Sequence, residues 1–239
     1  MAEYAESTHH SQQSLRRFAH VRRFDRALEL LQVGRDHAVL DLGAGDGYFL
    51  GRVAASSPGS TLTAVEPDQQ MQTRLRASLR NLIESGQLTV LHHGNDLAPR
   101  SFDRLTCLEV LEHLPPRLQR EALNLMSRVA RPNARLVISV PIEVGPVVVV
   151  KALARLRSGE PAEPWRYLLN AALGRPTLRP DDDYILTHTG FRFRDLEKEI
   201  ASSPWSIERR VFSPLGFGNC LINSQVLYVL RQREDTERR

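Results

Sequence analysis

The 239-residue chain is 41% hydrophobic and 25% charged, the balance of an ordinary globular protein long enough to bury one α/β core. Its formal net charge is only +4, spread along the chain and carried almost wholly by Arg, with Lys at Lys151 and Lys198 alone; this gives a dedicated nucleic-acid surface little support. Cys107 and Cys220 form no CxxC pair, which argues against a disulfide framework or zinc knuckle and for a reducing, cytoplasmic setting.

Residues 1–11 are polar, and MAEYAESTHHSQQSLRR lacks the basic-then-apolar layout of a signal peptide. The longest apolar candidate for a membrane span, VGPVVVVKALARL, falls short of about 20 residues and is interrupted by Lys151. From Ser14 to Leu31, Leu15, Phe18, Val21, Phe24, Leu28 and Leu31 recur at helical spacing, and Gly34 is expected to end that helix. VLDL reads as a buried strand running into a glycine turn, LGAGDG, and YFLGRVAA as a helix stopped at Pro58–Gly59. The beat then repeats. TLTAV is a strand ending at Glu66, and Asp68 caps one helix that runs to Gly86. LTVLHH, FDRLTCLEV and ARLVISV are further strands, with a helix from LPPRLQREALNLMSRVA whose prolines sit at its start.

Strands alternating with helices predict parallel βαβ units in an open, doubly wound α/β sheet. FRFRDLEKEIA is helical, and WSIERRVF and INSQVLYVL read as an antiparallel hairpin at the sheet edge. The expected organisation is an N-terminal helical cap (1–36), a core (37–141), an insertion or lid (142–187), a C-terminal completion of the same domain (188–231) and a tail (232–239).

The loop after the first strand, Asp41-Leu42-Gly43-Ala44-Gly45-Asp46-Gly47, restricts its ligand. A dinucleotide fingerprint GxGxxG would place its third glycine at Tyr48, and no Lys-Ser or Lys-Thr follows, as a P-loop requires. Asp46 stands where a pyrophosphate would meet the helix N-terminus and would repel it. The loop suits a ligand with a cationic end.

With its acid followed by xGxGxG, the chain resembles the class I S-adenosylmethionine (SAM) methyltransferases, closely over residues 37–142. The resemblance implies a Rossmann-like, doubly wound sheet of about seven strands, mostly parallel with an antiparallel C-terminal edge hairpin and helices on both faces. It also implies SAM as cofactor. Asp41, Gly43, Ala44 and Gly45 would then hold the aminocarboxypropyl end. Glu66 would take the ribose hydroxyls with Pro67 beside it, Asp96 and Leu97 the adenine, and Glu109 would lie near the methionine moiety.

CLEVLEHLPP places Glu109, Glu112 and His113 at i, i+3 and i+4, so that all three would face one side of a turn or short helix. The segment resembles the EVLEH motif of ubiquinone-biosynthesis O-methyltransferases and the EVIEHL of small-RNA 2′-O-methyltransferases. The resemblance implies that these residues and His188 ligate a divalent metal. An imidazole's ordinary titration range equally allows His113 to act as a general base without one, and a third reading has Glu112 capping or pairing locally with His113 packed under the active-site loop. His20, His37, His92 and His93 are expected to be structural or surface residues, and His9 and His10 to lie in the polar terminus. The amine-specific [DNS]PP[FYW] signature is absent, which favours oxygen or carbon acceptors.

The resulting expectation is methyl transfer to a small molecule. An RNA 2′-O-methyltransferase, suggested by RRFAHVRRFDR, and an inactive partner protein of the same fold are the alternatives. The N-terminal helix and the insertion would select the acceptor. Tyr4, Phe18, Trp165, Tyr167, Tyr184 and Phe191 are the aromatics on or beside those segments, and core packing claims them equally. VGPVVVVKALARL would allow peripheral contact with a membrane.

Overall fold

The computed structural model describes residues 21–143, 169–170, 185, 191–215, 219–220 and 222–233. The candidate ligand His188, the stretch VGPVVVVKALARL and most of the insertion lie outside these residues, as do Tyr4, Phe18, Trp165, Tyr167 and Tyr184.

Seven strands form one sheet in the order β3-β2-β1-β4-β5-β7-β6. They are β1 (Ala38–Leu42), β2 (Thr61–Val65), β3 (Leu88–Leu91), β4 (Phe102–Leu108), β5 (Ala130–Pro141), β6 (Trp205–Ser213) and β7 (Gln225–Gln232). The first five run parallel, and β7 pairs antiparallel with both β5 and β6, as expected for the edge hairpin. The strand order reverses between β1 and β4, so the crevice beyond their carboxyl ends is the natural ligand position of this topology.

Both faces of the sheet are covered, which is why its central strands read as nearly continuous apolar runs. Alternate side chains part into two cores. Val39, Leu62, Ala64, Val137 and Val229 pack with α1 (residues 21–31), α2 (Tyr48–Ser56) and α3 (Gln69–Ser78). Leu40, Leu105, Leu136, Ile138 and Tyr228 pack on the other side with α5 (Pro116–Val129) and α6 (Phe193–Ala201). Phe191 belongs to this second core at 1% exposure, so packing claims it rather than an acceptor pocket.

Two local expectations differ. Helix α1 ends at Leu31, and Gln32 just beyond it, rather than Gly34, takes the left-handed conformation (φ 52°). Gly34 instead serves the turn into β1, its N–H donating to His37 Nδ1 at 2.8 Å. The helix begun by Asp68, whose carboxylate accepts from the Met71 N–H at 2.8 Å, breaks at Leu79 and resumes as α4 (Arg80–Glu84). Leu79 packs where Gly47 and Gly51 of the facing segment have no side chain.

Candidate functional site

A cavity of about 480 Å³ opens at the carboxyl ends of β1, β2 and β4. That is large enough for a nucleoside-sized ligand. Of the residues singled out from the sequence, Asp41, Gly43, Ala44, Gly45, Glu66, Pro67, Glu109 and His113 line it. Asp96 and Leu97 do not. Asp96 is exposed on the single turn Gly94–Asp96 after β3, and the Leu97 side chain is committed to the core.

On the β1–β2 side the wall is built mainly by backbone. Gly43 and Ala44 donate to the Val65 carbonyl at 2.8 and 3.1 Å, stitching the loop to the end of β2. Gly43 is held at φ 80°, and a Cβ there would lie 2.3 Å from Val110 Cγ2, so only glycine fits. The Glu66 carboxylate accepts the Gly45 N–H at 2.7 Å on one oxygen and the Asp68 N–H at 2.9 Å on the other. Each oxygen keeps acceptor capacity, the arrangement a vicinal diol needs. Asp46 accepts the Tyr48 N–H at 3.1 Å, so a carboxylate already occupies the entrance of α2 where a phosphate would dock.

Asp41 is buried beneath this wall, its carboxylate accepting from Thr106 Oγ1 at 2.7 Å. Burial, reinforced by the neighbouring Glu66 charge and opposed by the Thr106 hydrogen bond, pushes its pKa up to about 7. A cationic ligand would favour the ionised form. Among the described residues, the lining carboxyl groups Asp41, Asp46, Glu66 and Asp68 outnumber the single lining arginine, Arg74, so the cavity suits a cation.

The β4 side is built by side chains. Glu109 sits just past β4 at φ 57°, and this left-handed residue breaks the run before any helix can form. Only Leu111–His113 make a single 3-10 turn. The expected common face of Glu109, Glu112 and His113 is therefore not formed: Glu112 is fully buried and does not line the cavity, while the other two do. Glu109 receives Ser139 Oγ at 3.1 Å, Gln225 Nε2 at 3.0 Å and the Arg23 guanidinium at 2.9 Å. Among the described residues no cluster of three or more His, Cys, Asp or Glu could hold a metal ion. Arg23 supplies a positive charge at Glu109, and His188, the remaining candidate ligand, lies outside the described residues.

His113 Nδ1 lies 2.7 Å from the Ile185 carbonyl, while the Ile185 N–H donates to the His113 carbonyl at 2.8 Å. A carbonyl can only accept, so the ring hydrogen resides on Nδ1, and Nε2 of the neutral ring is an acceptor.

Sequence reading missed Arg23 and Phe24. Phe24 lines the cavity from α1, its ring centroid 5.3 Å from that of Tyr48 and 5.8 Å from that of Phe49. Its helical period alone marked it as core, and no local signal distinguishes the two roles.

Residues 40–136 match a family model described as a methyltransferase domain. Over this segment the chain is similar to the class I methyltransferases. Over 104 residues it is 33% identical to the mitochondrial ubiquinone biosynthesis O-methyltransferase of Schizosaccharomyces pombe; the match covers 42% of this chain and 36% of that protein. The fold agrees with solved methyltransferases of low identity. A geranyl diphosphate C-methyltransferase from Streptomyces coelicolor A3(2), solved with Mg²⁺, geranyl-S-thiolodiphosphate and S-adenosyl-L-homocysteine, superposes with a TM-score of 0.60 at 13% identity, covering 88% of this chain and 75% of that one. A SAM-dependent methyltransferase from Aquifex aeolicus gives 0.56 at 14%, covering 87% and 88%. A cyclopropane synthase from Mycobacterium tuberculosis gives 0.57 at 16%, covering 80% and 62%. The C-terminal antiparallel hairpin thus belongs to the fold shared with these structures. Among the described residues, no helix is long and apolar enough to cross a membrane.

Proposed function

We propose that this chain is a SAM-dependent methyltransferase acting on an oxygen of a small-molecule acceptor. The observation that carries the reading is Glu66, a carboxylate at the end of β2 pinned by two backbone N–H groups beside a phosphate-repelling glycine loop. Asp41 and the Gly43–Gly45 loop would hold the cationic end of the cofactor, Glu66 its ribose hydroxyls, and Asp96 the adenine, with Leu97 committed to the core behind it. The oxygen preference is supported by the relative from S. pombe.

When bound, SAM supplies a methyl group on a sulfonium that is its own leaving group. The residues here have the remaining work of alignment and exclusion of water. Phe24 closes the cavity from α1. Glu109, neutralised by Arg23, forms a polar but uncharged-overall wall on the β4 side. His113, held by Ile185, presents Nε2 to accept the proton of an acceptor hydroxyl.

Calorimetric titration of the purified chain with SAM and S-adenosylhomocysteine tests the assignment. Saturable binding of both is expected, and no heat and no thermal shift with either would overturn it.

A further inference from the structure

We propose that Arg23 is a positioning residue for methyl transfer, coupling the seating of helix α1 to the strained turn that carries His113; the inference rests on the function proposed above. Arg23 is 8% exposed and reaches from α1 to Glu109 Oε2 at 2.9 Å. Gln225 donates to the same oxygen at 3.0 Å, and Ser139 donates to Oε1 at 3.1 Å. The Glu109 backbone N–H donates to the Ser139 carbonyl at 3.0 Å. Three segments distant in sequence therefore converge on one carboxylate.

A buried ion pair is weak evidence for stability, since desolvation consumes most of its attraction. Its location is more telling. Glu109 is a non-glycine residue at φ 57°, a conformation that persists only where the surroundings enforce it. That turn sends Val110 over Gly43, where its Cγ2 would lie 2.3 Å from a Cβ, and leads directly to His113 on the cavity wall. Holding the Glu109 side chain thus holds both the glycine loop's neighbour and the proton acceptor. The residue after Arg23 is Phe24, which lines the same cavity.

The rest of α1 is anchored independently. Arg104 donates to the Gln32 carbonyl at 3.0 Å, Arg135 donates to the Leu30 carbonyl at 3.1 Å, and Asp25 pairs with Arg52 of α2. Losing the Arg23 contact should loosen the site end of the helix without undocking it.

The test is a double-mutant cycle with Arg23→Gln, Glu109→Gln and both together, read by S-adenosylhomocysteine calorimetry and by amide hydrogen exchange without ligand. Each single variant is expected to weaken the ligand about tenfold, with the double variant no worse than either, because both remove one shared interaction. Exchange should quicken at residues 110–113 in both singles while β4 and β5 stay protected. Additive losses would overturn the proposal, as would faster exchange confined to α1 in Arg23→Gln with affinity unchanged. Should the wild-type chain not bind S-adenosylhomocysteine, the cofactor reading fails. Unchanged exchange at 110–113 in Arg23→Gln would separately sink the coupling.

Discussion

The two walls of the cleft are made by different means. At β1 and β2, backbone amides, three glycines and one carboxylate set the shape, all within 26 residues of sequence from Asp41 to Glu66. At β4, side chains from α1, β5 and β7 converge on Glu109. A wall of backbone is suited to gripping an invariant cofactor. A wall of side chains can be changed residue by residue, and it is here that acceptor chemistry would be handled. The comparison makes a sharp demand: changes on the first wall should act on cofactor affinity, and a change at His113 on the second wall on turnover, while the Arg23–Glu109 pair, which reaches the glycine loop through Val110, touches affinity as well.

The largest effect is expected at His113. Replacing it with Ala should lower methyl transfer about a thousandfold, the usual worth of a general base, while S-adenosylhomocysteine affinity changes less than about threefold. The readout is label passing from methyl-tritiated SAM into small-molecule acceptors, set against calorimetry. Equal loss of both would make His113 part of the cofactor wall and erase the distinction. Next comes Glu66→Ala, which removes two charged hydrogen-bond acceptors. The expected loss of SAM and S-adenosylhomocysteine affinity is about a hundredfold, or ~3 kcal/mol. A change below fivefold would mean the ribose lies elsewhere.

Within the first wall, two glycines separate shape from space. Gly43→Ala meets both a left-handed φ of 80° and Val110 Cγ2 at 2.3 Å, whereas Gly45→Ala at φ 57° meets no protein atom within 4 Å. The first should cost about 3 kcal/mol of unfolding free energy through strain and overpacking, and the second about 1 kcal/mol through backbone conformation alone. Urea denaturation of the two variants checks this. Equal losses would show that Val110 yields and that the contact between the walls is soft.

Much of the first wall was legible because its residues follow strand ends in chain order. An acid, a glycine loop and a second acid after the next strand can be found by reading along the sequence. The second wall was not, for three physical reasons. Arg23 lies 86 positions before Glu109, and the spacing of α1 says which face is apolar but not which strand end it crosses. The EVLEH spacing suggested a helical face, yet a left-handed Glu109 prevents a helix and buries Glu112 away from the cavity. Ser139 and Gln225 become neighbours only because β7 runs antiparallel beside β5, with Ser139 opposite Leu227 and Gln225 opposite Pro141. The edge hairpin itself was readable; which of its side chains would reach the site was not.

Asp41 offers a milder test of the first wall, by pH. Its folded pKa of about 7 lies above the ordinary carboxylate value of 3.8, chiefly through burial. The folded, ligand-free chain therefore holds a proton that the unfolded chain releases, and this group's contribution makes stability fall as pH rises between those values. A cationic ligand needs the ionised form, so its affinity should rise with pH and level off above about 7. Below that, affinity should drop about tenfold per unit, with a proton released on binding. Calorimetry of S-adenosylhomocysteine in buffers of different ionisation heat reads that proton directly. Pure hydrogen bonding of a protonated Asp41 would give the same heat in every buffer.

The smallest expected effect lies at the far end of the first wall. Asp96 is exposed, follows β3 on a single turn, and does not line the cavity that holds Asp41 and Glu66. If it takes the adenine, it does so as one solvent-washed hydrogen bond, worth about 1 kcal/mol. Asp96→Ala should then weaken S-adenosylhomocysteine about fivefold, well short of Glu66→Ala. It should leave the affinity for a ligand without the exocyclic amine, such as the inosine analogue, unchanged. An equal loss for both ligands would mean that Asp96 supports the turn rather than reads the base. The first wall would then end at Pro67 and Asp68.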